Sequence, residues 1–314
     1  MIGRVNTGGG GSGGTLTVTA PANVAVTITK DGKTKTKNSG TSGVVVFKGL
    51  TSGTWTVTIT GDGKTAQKSV IITTDYSTAI SFSTIPEFTY TGDYEIVNDS
   101  DEPITVSQGN WKIRFLTSGT LTFTKLNGWN GQLDVFLVGG GGNGETIRGA
   151  RGGGGGYTKT VKGISIAIAT PYTVTIGASS GTSSAFGASA NGASGANGGS
   201  GGGGGGSSSG TPGNGGSNGG NGTAGNVSDG GTGQGTTTRE FGESTGKLYS
   251  GGGGGSAADA GAAGDSTAGA GAAYGQAAKN GVANTGGGGG AAYHGTAGHG
   301  GSGIAIIRNT RRAA

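Results

Sequence analysis

Residues 192–231 read GASGANGGSGGGGGGSSSGTPGNGGSNGGNGTAGNVSDGG. Every third residue from Gly192, at 192, 195, 198, 201, 204, 210, 213, 216, 219, 222, 225 and 231, is glycine, and only Ser207 and Ser228 break the series. The other two phases hold four glycines in thirteen positions each. A period of three belongs to a polyproline-II-type helix, where every third residue faces the same neighbour and only glycine lets two backbones touch. Such a helix has no internal hydrogen bonds, so its N–H and C=O groups must find adjacent chains or water. Packed side by side, these helices form a polyglycine-II bundle, in which interchain N–H···O bonds and weaker Cα–H···O contacts replace a side-chain core. A collagen triple helix shares the period but needs at least ~15–20% proline, and Pro212 is the sole proline after Pro171. A disordered linker explains the composition, though not the single phase. The expectation is a polyglycine-II bundle, with disorder and a triple helix as competing states.

The flanks sharpen this expectation. New glycine runs begin at 251–255 and 286–290, the second continuing in step at Gly295, Gly298 and Gly301. Between runs lie SSGTSSAFGASA, TTTREFGESTGKLY and YGQAAKNGVANT, expected as turns at helix ends where long side chains fit. Strand-like segments NWKIRFL, GTLTFTKL, GQLDVFLV, YTKTVKG and PYTVTIGA precede the block, and GIAIIR follows it at 303–308. The glycine block is thus framed by β-strands, and 110–314 reads as one glycine-rich domain. Residues 15–85 alternate Thr, Val and Ile in short runs, with Asp31-Gly32 and Asp62-Gly63 where hairpin turns need positive φ. Six or seven short strands predict a small immunoglobulin-like β-sandwich. Residues 86–109 read as a polar connector, and 1–14 as an attachment peptide with a Gly/Ser linker. The predicted fold class is all-β with an irregular glycine-rich region: an N-terminal β-sandwich plus a β-framed polyglycine-II helix bundle.

Glycine supplies 79 of 314 residues, and charged residues are 12% with a net charge of +5. Residues 1–85 hold eight Lys/Arg against three Asp/Glu, while 86–314 hold thirteen of each. The glycine-rich part lacks the basic stripe expected of a nucleic-acid binder, so nucleic acid is not an expected partner. With no cysteine, disulfides and thiolate metal sites are excluded. No segment reaches the roughly 20 apolar residues that span a bilayer. MIGRVNTGGGGSGG has no apolar stretch of a secretory signal, which favours exit by lysis or within a particle.

Motifs that could carry chemistry fail on context. Gly139, Gly141 and Gly144 form G-x-G-x-x-G, but ETIRGARGGGGG supplies no helix after it. GESTGK at 242–247 has one residue too few for a phosphate loop, with Leu248 where Ser or Thr must reach the metal. G-x-S-x-G at 198–202 has no strand-to-helix elbow around it. Asp229, Glu240, Glu243, Asp259 and Asp265 are scattered, so no paired-carboxylate or Ser-His-Asp constellation emerges, and the chain is expected not to be an enzyme. Asp99, Asp101 and Glu102 are oxygen donors of the kind that hold calcium, or a solvated turn before Pro103. No cofactor and no metal are predicted. Trp55, Trp111 and Trp129 lie in or beside strands and read as core anchors. Tyr157, Phe186, Phe241, Tyr249, Tyr274 and Tyr293 stand near the ends of glycine runs, sealing bundle edges or facing outward.

Two resemblances follow. GVVVFKGLTSGTWTVTITGDGK resembles the carboxypeptidase-regulatory or PEGA-like sandwiches that act as spacers on surface and tail proteins. NWKIRFLTSGTLTF, VGGGGNG, GGGGGY, REFGESTGKLYSGGGGG and the closing GGSGIAIIR resemble the glycine-rich domain of phage and prophage tail-fibre proteins, and MIGRVN resembles their N-terminal peptide in Gram-positive prophages. The resemblance implies a virion tail protein, extracellular in action, whose loops on the glycine scaffold bind a glycan or protein receptor of the host cell. It also implies other tail proteins as partners through 1–14, and a homotrimer as a possible assembly. The receptor-binding candidates are Tyr274, Gln276, Lys279, Asn280, Tyr293, His294 and His299, polar and aromatic residues in non-glycine loops. A structural tail or baseplate component, and a cellular matrix or surface protein, are the alternatives.

Overall fold

A computed structural model describes residues 14–61, 64–82, 84–105, 109–147, 149–199, 201–205, 211–215, 221–226, 231, 233 and 239–310. The chain divides into two compact units, Met1–Ile85 with Val106–Gly109, and Pro86–Thr105 with Asn110–Ala314. Both are built from strands.

The first unit holds β1 (Gly14–Thr19), β2 (Ala25–Lys30), β3 (Lys33–Asn38), β4 (Val44–Leu50), β5 (Gly53–Gly61), β6 (Lys64–Ile72) and β7 (Tyr76–Ala79). They form two sheets, ordered β4-β1-β7 and β3-β2-β5-β6. Alternation puts one face of each strand inward: Leu16, Val18, Val26, Ile28, Phe47, Val57 and Ile59 make one apolar cluster with Trp55. Each fully buried aliphatic contributes about 1.5–3 kcal/mol. The Asp31-Gly32 turn has positive φ at both residues, 50° and 75°, as the predicted tight hairpin demands. Lys30 and Lys33 pair across it. The Asp62-Gly63 turn lies outside the described residues, although Gly61 and Lys64 pair at its base.

The second unit begins earlier than expected. Instead of a connector, residues from 86 onward supply β8 (Glu87–Tyr90) and β9 (Tyr94–Val97), followed by β10 (Lys112–Phe115), β11 (Gly119–Lys125), β12 (Gln132–Val138), β13 (Thr158–Ser165), β14 (Pro171–Thr175), β15 (Ser183–Ala185), β16 (Ala188–Ala190) and β17 (Ile304–Asn309). The two sheets are β13-β12-β17-β10-β9 and β16-β15-β14-β11-β8, so 86–105 gives an edge strand to each. The sheets meet through aromatics: Phe115 lies 4.7 Å from Tyr90, and Trp129 packs on Trp111 and Phe123. All three tryptophans are core residues, at most 9% exposed. Tyr90 donates to the Thr117 carbonyl, and burial, then Asp93, pushes its hydroxyl pKa up to about 12.

The β-ladders run without slip into the glycine bundle. Leu137 pairs with Ala305 and Val138 with Ile304; beyond the strand ends, Gly141 N–H donates to Gly301 O (2.9 Å) and Gly144 to Gly298 O (3.0 Å), in the same antiparallel register. On the other side Val138 pairs with Thr158, and Gly139 then donates to Tyr157 O and Gly142 to Gly154 O. What changes is direction. A strand bonds to two neighbours, whereas three residues per turn aim successive donors at three. Gly140 accordingly donates to Gly181 O, out of the sheet.

Residues 286–292, GGGGGAA, form the buried axis of the bundle. Six segments enclose it. Gly289 and Ala292 donate to Gly142 and Glu145; Gly288 and Ala291 donate to Gly251 and Gly254; Gly290 donates to Lys279. In return Gly153 and Gly156, Gly269 and Ala272, and Gly298 and Gly301 donate into the axis. Donors three residues apart thus reach one neighbouring segment, the spacing expected of polyglycine-II packing. A Cβ at Gly288 would fall inside the Gly153 carbonyl oxygen, and one at Gly253 inside that of Gly289.

The single-phase stretch behaves differently from the continuous runs, and the reason is the number of covered faces. Among its described residues, Gly198, Gly201, Gly213, Gly222, Gly225 and Gly231 press on other backbones, while Gly195 is an exposed turn with φ 56°. Gly210, Gly216 and Gly219 lie outside the described residues. In 211–215 and 221–226 no residue off the phase is buried. One covered face needs glycine at every third position, whereas an enclosed segment needs small residues throughout.

Candidate functional site

The axis runs parallel to 139–145, 251–257 and 269–273, as their paired donors show. Parallel segments of similar length must turn at the same end. The loops around 145–151, 257–260, 273–278 and 292–297 therefore gather at the end of the bundle remote from β12 and β17. Their bases are stitched together. Ser256 Oγ donates to Ala272 O (2.5 Å) and accepts from Tyr293 N–H (2.9 Å); Gly275 N–H donates to Tyr293 O, and Ala278 N–H to Thr296 O. The chain needs left-handed geometry to turn this tightly, at Gly275 (φ 73°) and at His294 (φ 57°).

On this frame three rings meet. Tyr274 lies edge-on to Tyr293 at 5.3 Å, and His294 is 5.1 Å from Tyr274 and 4.3 Å from Tyr293. Tyr274 is 59% exposed, so most of one ring is offered to solvent although its neighbours hold it. Beside them, the 145–151 loop is closed by the Glu145–Arg151 pair at 2.6 Å, which leaves Ile147 65% exposed. The Arg151 pKa is raised, chiefly by the Glu145 hydrogen bond, against the opposing effect of burial.

A second polar locus covers the outer face of the β10-β17-β12 sheet. A short 3₁₀ turn, Glu240–Gly242, lays Phe241 and Tyr249 on Phe136. Lys112 Nζ donates to Asp101 Oδ1 (2.5 Å) and Glu240 Oε1 (2.9 Å); Arg308 binds Asp134 (3.2 Å) and Glu243 (2.6 Å) and lies 4.0 Å over the Phe241 ring. Burial alone would lower the Arg308 pKa, but Glu243 and Asp134 carry it upward. Tyr249 donates to Glu240 Oε2, and its hydroxyl is pushed far up by burial and then by Glu240. The polar cleft beside it, about 500 Å³, is lined mostly by charges paired with one another, Lys112 with Asp101 and Glu240 and Arg308 with Glu243, while Lys247 lies over the Tyr249 ring; this makes it a clasp. Asp99, Asp101 and Glu102 turn to different partners: Asn110, Lys112 and Asn98. Among the described residues no three His, Cys, Asp or Glu converge on a metal-sized site.

A family model described as a glycine-rich domain matches residues 116–310, from the end of β10 to just past β17. The chain belongs to that glycine-rich domain family. No curated protein matches it. Among solved structures, a DUF3823 family protein from Bacteroides ovatus ATCC 8483 is similar at 11% identity, covering 58% of this chain and 96% of that one, with a TM-score of 0.21. A score so low carries no argument about fold or function.

Within the glycine-rich domain, the seven candidate residues split into two groups. Tyr274, Gln276, Tyr293 and His294 come together at the bundle end. Lys279, Asn280 and His299 lie lower, on its flank: Asn280 Oδ1 accepts from His299 N–H (2.8 Å), and Lys279 gives its carbonyl to the axis while its side chain stays exposed. His299 also lines a shallow recess of about 410 Å³ with Asn143, Thr146 and Thr296. The 145–151 loop is an addition that sequence reasoning missed. Its signal was the charged, apolar stretch ETIRGAR set between two glycine runs.

Proposed function

We propose that this chain is a phage tail-fibre or tail-tip protein that binds the host cell surface through the loops at the remote end of its glycine bundle. The observation that carries this reading is the convergence of four non-glycine loops, with an exposed aromatic cluster, on one end of a scaffold made of backbone alone. Loops on a rigid frame are where binding residues concentrate. Tyrosine rings offer large contact area at low entropic cost. The resemblance of the strands and glycine runs to tail-fibre domains points the same way, and the partner implied is a surface glycan or protein.

The test is binding of the labelled full chain to a panel of intact bacterial cells, Gram-positive strains included. Saturable binding to some strains, lost in Tyr274→Ser/Tyr293→Ser/His294→Ser with the fold intact, is the expected result. Saturable binding to no strain, or undiminished binding by the triple variant, overturns the reading. The first outcome would favour a structural tail role.

A further inference from the structure

The first unit carries an unmatched positive charge with a definite location. Strands β3 and β4 are edge strands of the two facing sheets. On β3, Lys33, Lys35 and Lys37 pair in register with Lys30, Ile28 and Val26. Ile28 and Val26 point into the core, so the three lysines lie on the core-side face of β3, at the open margin of the sandwich. The alternate residues face outward, where Thr36 Oγ1 meets Thr27 Oγ1 at 2.8 Å. The resulting groove has two adjoining parts of about 550 and 420 Å³ that share Lys35 and are lined also by Lys30, Lys33, Lys37 and Lys48.

Two of these lysines are anchored. Lys30 reaches the Ser52 carbonyl above the Trp55 ring, and Lys37 Nζ donates to Val46 O (2.7 Å) above Phe47. The side chains of Lys33, Lys35 and Lys48 have no ion-pair or hydrogen-bond partner among the described residues. Among the described residues Asp31 is the one carboxylate lining the groove, and it forms no ion pair there.

We propose that this groove binds a linear phosphate polymer that carries no bases. Residues two apart on a strand are about 7 Å apart, so β3 sets out a row of cations along an extended chain. Lysine is a point charge with rotatable donors, suited to phosphate oxygens at varied angles, and the groove has no arginine fork for planar carboxylates. Nucleic acid fits less well: single strands need aromatic faces for stacking, and Trp55 and Phe47, at 5% and 1% exposure, lie beneath lysines.

The competing account is structural, because inward-pointing charges on an edge strand also keep sheets from pairing with one another. Glutamate satisfies that role and repels a polyanion. The experiment titrates the full chain with long-chain inorganic polyphosphate, oligothymidylate and poly-L-glutamate at several salt concentrations. Expected are preference for polyphosphate, an affinity at least about tenfold weaker in Lys33→Gln/Lys35→Gln/Lys37→Gln, and a log–log salt slope smaller by about 2. Lys33→Glu/Lys35→Glu/Lys37→Glu should keep the oligomeric state of the unaltered chain and lose binding, whereas Lys64→Gln/Lys68→Gln should retain it. No binding of polyphosphate, undiminished binding in the Glu variant, or equal or tighter binding of oligothymidylate or polyglutamate overturns the proposal.

Discussion

The sandwich and the glycine bundle both exclude water, by opposite means. In the sandwich, fully buried Leu16, Ile28 and Ile59 fill the space between two sheets, and backbone bonds lie within each sheet. Along the bundle axis there is almost no side chain to bury. Backbone bonds run outward to six neighbours, with Ala291 and Ala292 entering only at the end where the loops open. The difference shows which substitutions matter: a side-chain core is damaged by removing atoms, a backbone core by adding them.

Gly288→Ala should have the largest effect. Its Cβ would fall inside the Gly153 oxygen with backbone on every side, so the bundle should lose more than about 4–5 kcal/mol. Hydrogen exchange should then show unprotected amides in 139–156 and unchanged protection in β2 and β5; protected amides in both would break the contrast. Lys112→Met removes the cation between Asp101 and Glu240 and should cost about 3–5 kcal/mol in denaturant unfolding. Lys112→Met/Glu240→Leu should recover only part of that loss, because the buried carboxylate is gone but the buried Tyr249 hydroxyl then lacks its acceptor. Ile59→Ala should cost about 2–5 kcal/mol and show in the sandwich amides alone. Gly195→Ala, open but at φ 56°, should cost only about 1–2 kcal/mol, which separates glycine needed for conformation from glycine needed for space.

The smallest effect is ionic and emerges only in alkali. Tyr90, held near 12, and Tyr249, raised by burial, keep their protons in the fold above the unfolded value of about 10. Their contribution is fully present below about pH 10. It is lost as pH rises, because the unfolded chain releases those protons first. The denaturation midpoint should begin to fall above about pH 10, and less so in Tyr90→Phe.

Much of this architecture was legible from residues alone. Thr/Val/Ile alternation marked most of the first seven strands, although not β3, whose KTKTKN carries no apolar residue, and Asp31-Gly32 marked a turn with positive φ. Strands β8 and β9 were not legible, since EFTY and YEIV are short and lie among turn residues; they are strands because Phe88 pairs with Phe123 in its own sheet, while Tyr90 and Tyr94 meet Phe115 and Phe88 across the interface. The clasp left a faint trace. Asp134 interrupts QLDVFLV and Arg308 ends IAIIR, opposite charges in apolar strands that prove to be register partners. Glu240 lies 128 positions from Lys112, and nothing local announces that pair.

For the glycine block, the sequence by itself determined that backbones must touch, because a residue without Cβ at a fixed phase permits close approach and has little else to offer. It also determined that the ends are tied, through the strands on either side. Only the tertiary structure decided which segments touch, and which of them run parallel. Glycines are chemically identical, so a hydrogen bond from Gly289 to Gly142 is encoded by no local preference. It follows from strand register carried past Val138 and Ile304 and from the lengths of the intervening turns, and those lengths bring Tyr274, Tyr293 and His294 together at one end.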